Sequence, residues 1–253
     1  MRVIPSILIA FSTYSRLPVP QTEWSDRNRR YAMCFFPLVG AVIGGLLWLW
    51  LYACDAFGLG GLIRGAVGAV IPLAVTGGIH MDGFMDTSDA LASWQPMEKR
   101  LEILKDSHAG AFAVMGCVCY MLVMAALLSE APARAGIRLG ICYTVSRAMS
   151  AWTLTVFPSA RPKGMLDQFA AAAQKKAVTA SSLVYVLAAL GIWFLNGWIH
   201  AAAGVLAVLS VTVYYRHMAV KNFGGVTGDL AGWYLQMLEI CMIAAIMIGG
   251  RLA

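Results

Sequence analysis

The sequence predicts an all-α fold, a polytopic transmembrane helical bundle of about seven spanning helices with an N-terminal interfacial helix and a cytoplasmic-side acidic helix. Three observations predict it. Of 253 residues, 60% are hydrophobic and only 13% charged, against roughly a quarter charged in soluble domains. Seven stretches approach the length of about 20 mostly apolar residues that an α-helix needs to cross the hydrocarbon core. The basic residues fall almost entirely on alternate connections, which is the asymmetry that fixes orientation in a bilayer. No polar linker interrupts the chain, so residues 1–253 read as one integral membrane domain.

Val3 to Phe11 is apolar but too short to span, and no small-residue cleavage site follows it before Arg16-Leu17-Pro18-Val19-Pro20. An interfacial helix is expected there, not a cleaved leader. The expected spans are Met33–Cys54, Gly58–Ile79, Ala109–Ser129, Ile137–Phe157, Ala177–Leu195, Trp198–Tyr215 and Leu230–Gly250. Asn196-Gly197 separates the fifth from the sixth, a turn signal that fits a helical hairpin. With the N-terminus inside, cytoplasmic segments 1–32, 80–108, 158–176 and 216–229 hold every Lys and Arg except Arg64, Arg134, Arg138, Arg147 and Arg251. That partition accounts for the net charge of +6 without nucleic acid, for which no basic stripe with interleaved aromatics exists. The six cysteines lie in apolar segments with no Cys-x-x-Cys pair, so they read as packing residues. No internal repeat is visible, which argues against an inverted-repeat transporter.

Polar chemistry concentrates between Gly77 and Gly110, where six of the thirteen acidic residues lie. In a helix, Asp82, Asp86 and Asp89 occupy i, i+4 and i+7, which is one face. Carboxylates so gathered repel one another unless a counter-charge is present. Their neighbours Phe84, Met85, Ala90 and Leu91 are apolar, unlike those of a solvated acidic face. Oxygen-only donors point to Mg²⁺, or Mn²⁺, held by Asp82, Asp86 and Asp89. Carboxylates facing lipid are costly, so this stretch is expected at the cytoplasmic boundary. Gly77-Gly78 permits a sharp turn before it. His80 lies off the acidic face and is expected to hydrogen-bond a substrate. Asp106 either completes the metal site or, with Ser107, caps the helix that follows. Glu98 and Glu102 read as surface partners of Lys99, Arg100 and Lys105.

Three further signals are weak separately. Arg147 lies within a span, where its partners are carboxylates or a phosphate, as a catalytic group or in a structural ion pair. Arg161 sits in a basic loop. Gly224-Gly225-Val226-Thr227-Gly228-Asp229 is glycine-rich and able to hold phosphate oxygens on backbone N–H groups, yet lacks the Gly-Lys-Ser/Thr ending of a P-loop. Carboxylates for a divalent ion, cations for phosphate charge and glycines for close approach are together what phosphoryl transfer requires.

These residues resemble the cobalamin synthase family, the adenosylcobinamide-GDP ribazoletransferases. The resemblance rests on the run Thr76–Asp89, on Leu-Glu-Ile-x-x-Asp-Ser-x-x-Gly at 101–110 and on Gly-Gly-x-Thr-Gly-Asp at 224–229. Arg16-Leu17-Pro18-Val19-Pro20, Phe36-Pro37-Leu38-x-Gly40, Ser146-Arg147 and Ala160-Arg161-Pro162 follow the same order. Nearly the whole chain is covered, from residue 16 to about 239. The resemblance implies a Mg²⁺-dependent inner-membrane enzyme with its N-terminus and active site cytoplasmic. Such an enzyme joins adenosylcobinamide-GDP to α-ribazole or α-ribazole 5′-phosphate and releases GMP. It implies Asp82, Asp86, Asp89 and Asp106 on the metal, Arg147 and Arg161 on phosphate charge, and His80, Gly224, Gly225, Thr227 and Asp229 on substrate. A homo-oligomer, or a complex with other enzymes of cobalamin assembly, is compatible with it. Two departures are Ala90, where the family usually has Gly, and Gln236, where it often has an acid; Glu239 follows one turn on. The rival readings are a CDP-alcohol phosphotransferase, whose Ala-Arg is missing after Asp82-Gly83, and a cation-coupled transporter, which would place its carboxylates near the bilayer midplane.

Overall fold

The computed structural model describes residues 3–106, 108–160 and 173–252. Among these, eleven α-helices and one 3₁₀ turn account for most of the described residues. They are α1 Val3–Tyr14, α2 Asp26–Arg29, α3 Ala32–Ala56, α4 Gly61–Thr76, α5 Ile79–Ala92, α6 Met97–Ile103, α7 Ala111–Ser129, α8 Gly136–Val156, α9 Lys175–Leu195, α10 Trp198–Phe223 and α11 Gly228–Leu252. Ser159 and Val226 form an isolated parallel bridge. The all-α expectation holds.

Five helices, α3, α7, α9, α10 and α11, are long and apolar enough to cross a membrane, and a sixth crossing results if α4 and α5 are one broken span. Two of the seven expected spans differ for identifiable reasons. The second is only 16 residues long as α4 and meets α5 at a 100° bend. Gly77 and Gly78 at the bend have φ of 67° and 83°, a left-handed conformation that only glycine adopts at little cost. The fourth is a full 21-residue helix, α8, but too polar to read as a lipid-facing span. Ser146, Arg147, Ser150, Thr153 and Thr155 on it are all buried.

α8 therefore forms the centre of the bundle, packed against α3, α9 and α11. Its contact with α3 is backbone on backbone: a Cβ at Gly44 would lie 2.3 Å from the Gly140 carbonyl oxygen. Polar side chains satisfy α8 from within, with Ser182 Oγ donating to the Ala148 carbonyl at 2.9 Å and Trp193 Nε1 to the Arg138 carbonyl at 2.9 Å. Buried polar groups so paired cost little. α7 and α9 present the opposite character, with Phe112, Val118, Leu122, Leu183, Leu187 and Phe194 exposed. Apolar faces this large are tolerated where lipid covers them. α1, at 12 residues, is too short to span and buries Ile9 and Ala10 against the bundle. The α9–α10 hairpin turns at Asn196-Gly197, as the sequence predicts.

The two ends of the bundle differ. At one end Arg64 pairs with Asp55 at 2.5 Å and donates to the Ala131 carbonyl, while Arg251 pairs with Glu130. The other end gathers α5, α6 and the loops. Arg100 on α6 binds Asn222 at the end of α10, and the Gln174 amide donates to the Arg30 carbonyl at 3.0 Å. The Val226 amide donates to the Pro158 carbonyl at 2.8 Å, and the Ala160 amide returns to the Val226 carbonyl at 3.0 Å. The four segments separated by the basic-residue partition thus meet at one end.

Candidate active site

The acidic helix forms as its spacing predicts: α5 carries Asp82 in its first turn, and Asp86 and Asp89 follow on the same face. Its inner face buries His80, Met81, Phe84 and Thr87. α5 lies against α11 closely enough for the two backbones to touch. A Cβ on Gly83 would sit 2.7 Å from the Asp229 carbonyl oxygen, and one on Gly232 would sit 2.8 Å from the His80 carbonyl oxygen. Any larger residue at either place would push the helices apart. The approach brings Asp229, from the far end of the sequence, up to the α5 carboxylates.

The consequence is visible on Asp86. Its carboxyl is pushed up to about 6 by burial first, and then by the negative charges of Asp82, Asp229 and Asp89. Like charges gathered together disfavour further ionisation. The four acids therefore share one electrostatic neighbourhood, and Asp229 belongs to it.

Asp89 has additional work. Its carboxylate accepts the Gly110 amide at 2.5 Å and the Ala113 amide at 2.9 Å, capping the free N–H groups that begin α7. The room for this comes from Gly110, since a Cβ there would lie 2.6 Å from an Asp89 oxygen. The α7 cap is thus supplied from α5 and not by Asp106. Asp106 is exposed and accepts the His108 backbone amide at 3.0 Å and bonds its Nδ1 at 2.7 Å. Those bonds, the ring first, hold its carboxyl below the usual range. Ser107 lies outside the described residues.

His80 is 7% exposed and stacks on Phe36 at 5.6 Å and on Tyr14 at 6.3 Å. Burial and the charge of Arg147 keep its imidazole well below its ordinary value, so it is neutral at pH 7, and its Nδ1 is buried without a partner. Arg147 is 1% exposed and pairs with Glu239 of α11, itself fully buried. It also donates to the Tyr143 carbonyl and to Ser146 Oγ, each at 3.0 Å, while Ser146 donates to Glu239 at 2.9 Å. Of the two sequence readings of Arg147, this geometry is that of the structural ion pair. Thr227 Oγ1 accepts the Leu230 amide at 3.2 Å and caps α11. Gly224 and Gly225 form the turn that docks on residues 158–160. Arg161 lies outside the described residues.

A family model described as cobalamin-5-phosphate synthase matches residues 6–247. The chain belongs to this family. An adenosylcobinamide-GDP ribazoletransferase from Lachnoclostridium phytofermentans is 40% identical over 248 residues, covering 98% of this chain and 95% of the relative. Relatives of the same description from Clostridium perfringens and Pseudomonas putida are each 30% identical, covering 92% and 95% of this chain and 94% and 98% of their own. No solved structure matches.

For a cobalamin-5-phosphate synthase family member, the donor set can be tested for a divalent cation. Asp82, Asp86, Asp89 and Asp229 bring carboxylates together beside the α5–α11 contact, and burial followed by the like charges of the other three raises Asp86. Among the described residues, no three acidic, histidine or cysteine side chains converge as a complete protein cage. The expected set Asp82, Asp86, Asp89 and Asp106 thus forms no complete cage, Asp106 being bonded to His108 instead; a cation that needs fewer protein donors is Mg²⁺, which binds through one or two carboxylates and takes water and substrate phosphate oxygens for the rest. Asp229 was expected on substrate and Glu239 was noted beside Gln236, but the tertiary neighbours of both were not legible in the sequence. Asp229 read as a loop residue, and its signal was the Gly83 and Gly232 pair that lets the helices touch. Glu239 read only as an acid one turn after Gln236, and its signal was the lone intramembrane Arg147 that needed a partner.

Proposed function

We infer that this membrane enzyme carries out the ribazoletransferase step of cobalamin biosynthesis. It joins adenosylcobinamide-GDP to α-ribazole or α-ribazole 5′-phosphate and releases GMP. Membership of the family, across nearly the whole chain, carries the reaction. The carboxylate neighbourhood of Asp82, Asp86 and Asp229 supports its location.

In this reading a ribose hydroxyl of the acceptor attacks the phosphorus nearest the cobinamide. The bond from that phosphorus to the bridging oxygen breaks, and GMP departs with the bridging oxygen. Asp82 and Asp86, with Asp229 beside them, would hold Mg²⁺, which would neutralise pyrophosphate charge. One carboxylate of this group, Asp86 or Asp89, accepts the hydroxyl proton. Asp89 holds the start of α7 at the site, and Asp106 with His108 lines its exposed edge. Arg147 acts through position, locking α8 to the helix that carries Asp229. Arg161 and the backbone of Gly224 and Gly225 supply the phosphate-facing loops, with Thr227 fixing the start of α11.

The membrane arrangement follows the charge partition. The N-terminus and the acidic end face the cytoplasm, in the inner membrane. The seven crossings comprise the five long apolar helices, α8 at their centre, and α4, which ends at the elbow.

The deciding experiment is GMP release from adenosylcobinamide-GDP by the purified protein, with either acceptor, in Mg²⁺ and in EDTA. Release in Mg²⁺ that stops in EDTA, and a loss of about 100-fold or more in Asp82→Asn with an unchanged gel-filtration profile, are expected. Near-normal turnover of Asp82→Asn would remove the metal assignment.

A further inference from the structure

A cavity of about 600 Å³ opens at the α4–α5 elbow, lined by Leu73, Gly77, Gly78, Ile79, Met81, Asp82 and Met85. It contains one of the site carboxylates, yet most of its wall is apolar. Its volume suits a small-molecule ligand.

A cation, Arg16, packs against Gly77 of its wall. The Arg16 amide donates to the Val75 carbonyl at 2.8 Å, tying the segment after α1 to the last turn of α4. The Arg16 side chain then lies across Gly77: a Cβ there would be 2.4 Å from Nε and 2.7 Å from Cγ. Gly77 is needed for this contact as well as for its positive φ. Among the described residues, Arg16 is paired with no carboxylate. An exposed guanidinium packed against Gly77, with no carboxylate partner among the described residues, presents a fork suited to phosphate.

The ligand such a surface selects has an apolar ring at one end and a phosphate at the other. Leu73, Ile79, Met81 and Met85 offer no hydrogen bonds to a guanine. They suit the apolar benzimidazole of a ribazole, against which methionine sulfur packs well. The family description names a 5-phosphate product, so an acceptor bearing a 5′-phosphate is chemically in place.

We propose that the elbow is the acceptor subsite, with Leu73, Ile79 and Met85 receiving the base and Arg16 binding the 5′-phosphate of α-ribazole 5′-phosphate. This rests on the ribazoletransferase reading and deepens it. The base is then held beside Asp82, at the edge of the carboxylate neighbourhood. Arg16 becomes the residue that distinguishes the phosphorylated acceptor from the free nucleoside.

The test compares kcat/KM for α-ribazole 5′-phosphate and for α-ribazole, using full-length protein in nanodiscs, in the native chain, Arg16→Gln and Arg16→Lys. The native chain is expected to prefer the phosphate. Arg16→Gln should lose about 10–100-fold on the phosphorylated acceptor, the scale of hydrogen bonds to a charged group, and at least ten-fold less on α-ribazole. Arg16→Lys should recover part of the difference. Equal losses on both acceptors would show that Arg16 only braces the elbow and would overturn the proposal. A preference unchanged by Arg16→Gln, or absent from the native chain, would overturn it too. If the native chain turns over neither acceptor, the underlying reaction assignment falls and takes the subsite with it.

Discussion

Replacing Glu239 by Leu leaves the Arg147 guanidinium inside the bundle with no counter-ion. The side chains of Arg147 and Glu239 are 1% and 0% exposed, and a guanidinium cannot shed its charge by deprotonation. Removing one partner of such a pair costs about 3–5 kcal/mol, because the survivor keeps its desolvation cost without its attraction. Arg147→Met should cost less, since the Glu239 carboxyl can take up a proton and keep its bond to Ser146. Replacing both residues removes both charges, and the double variant should lie within about 1 kcal/mol of the native protein. The coupling in this cycle is then at least about 2 kcal/mol. Unfolding in detergent, followed by tryptophan fluorescence and gel filtration, measures all four proteins. Additive single effects, or a larger cost for Arg147→Met than for Glu239→Leu, would refute the account of a sealed ion pair.

Two other outcomes follow from the site. Gly83→Val should separate α5 from α11, because even a Cβ would lie 2.7 Å from the Asp229 carbonyl; GMP release should fall more than ten-fold, about the effect of a 1 Å misplacement or less, while helix content by circular dichroism stays constant. The raised Asp86 gives a pH dependence whose sign is fixed. Its folded value of about 6 exceeds the ordinary carboxyl value of 3.8, so ionisation disfavours the metal-free fold, which gains stability as pH falls from above 6 towards 4. Mg²⁺ should relieve that repulsion, raising Tm more at pH 7 than at pH 5, and Asp86→Asn should reduce the difference; an equal Mg²⁺ effect at both pH values would contradict the assignment.

The elbow and the acidic helix were legible because their causes are local. Two adjacent glycines allow two adjacent left-handed residues, and aspartates at i, i+4 and i+7 share a helix face wherever the helix lies. The loop at 224–229 was legible as a polar, glycine-rich break, but not as a clasp on residues 158–160, because that pairing joins backbone groups far apart in sequence. Asp89 shows the same limit. Its place on the acidic face was readable, but its hold on Gly110 and Ala113 depends on where α7 begins relative to α5. The span count was blurred by α8, whose polar residues lower its hydropathy because they face other helices and not lipid.

By itself the sequence determined that the chain is helical, membrane-embedded and one-sided in its chemistry, since composition, period and charge are properties of segments. The tertiary structure alone decided that Asp229 joins the α5 acids, that Arg147 meets Glu239, and that Arg16 rests on Gly77. Each of these is a contact between distant segments, set by how closely backbones can approach, and glycine marks where approach is allowed without naming the partner.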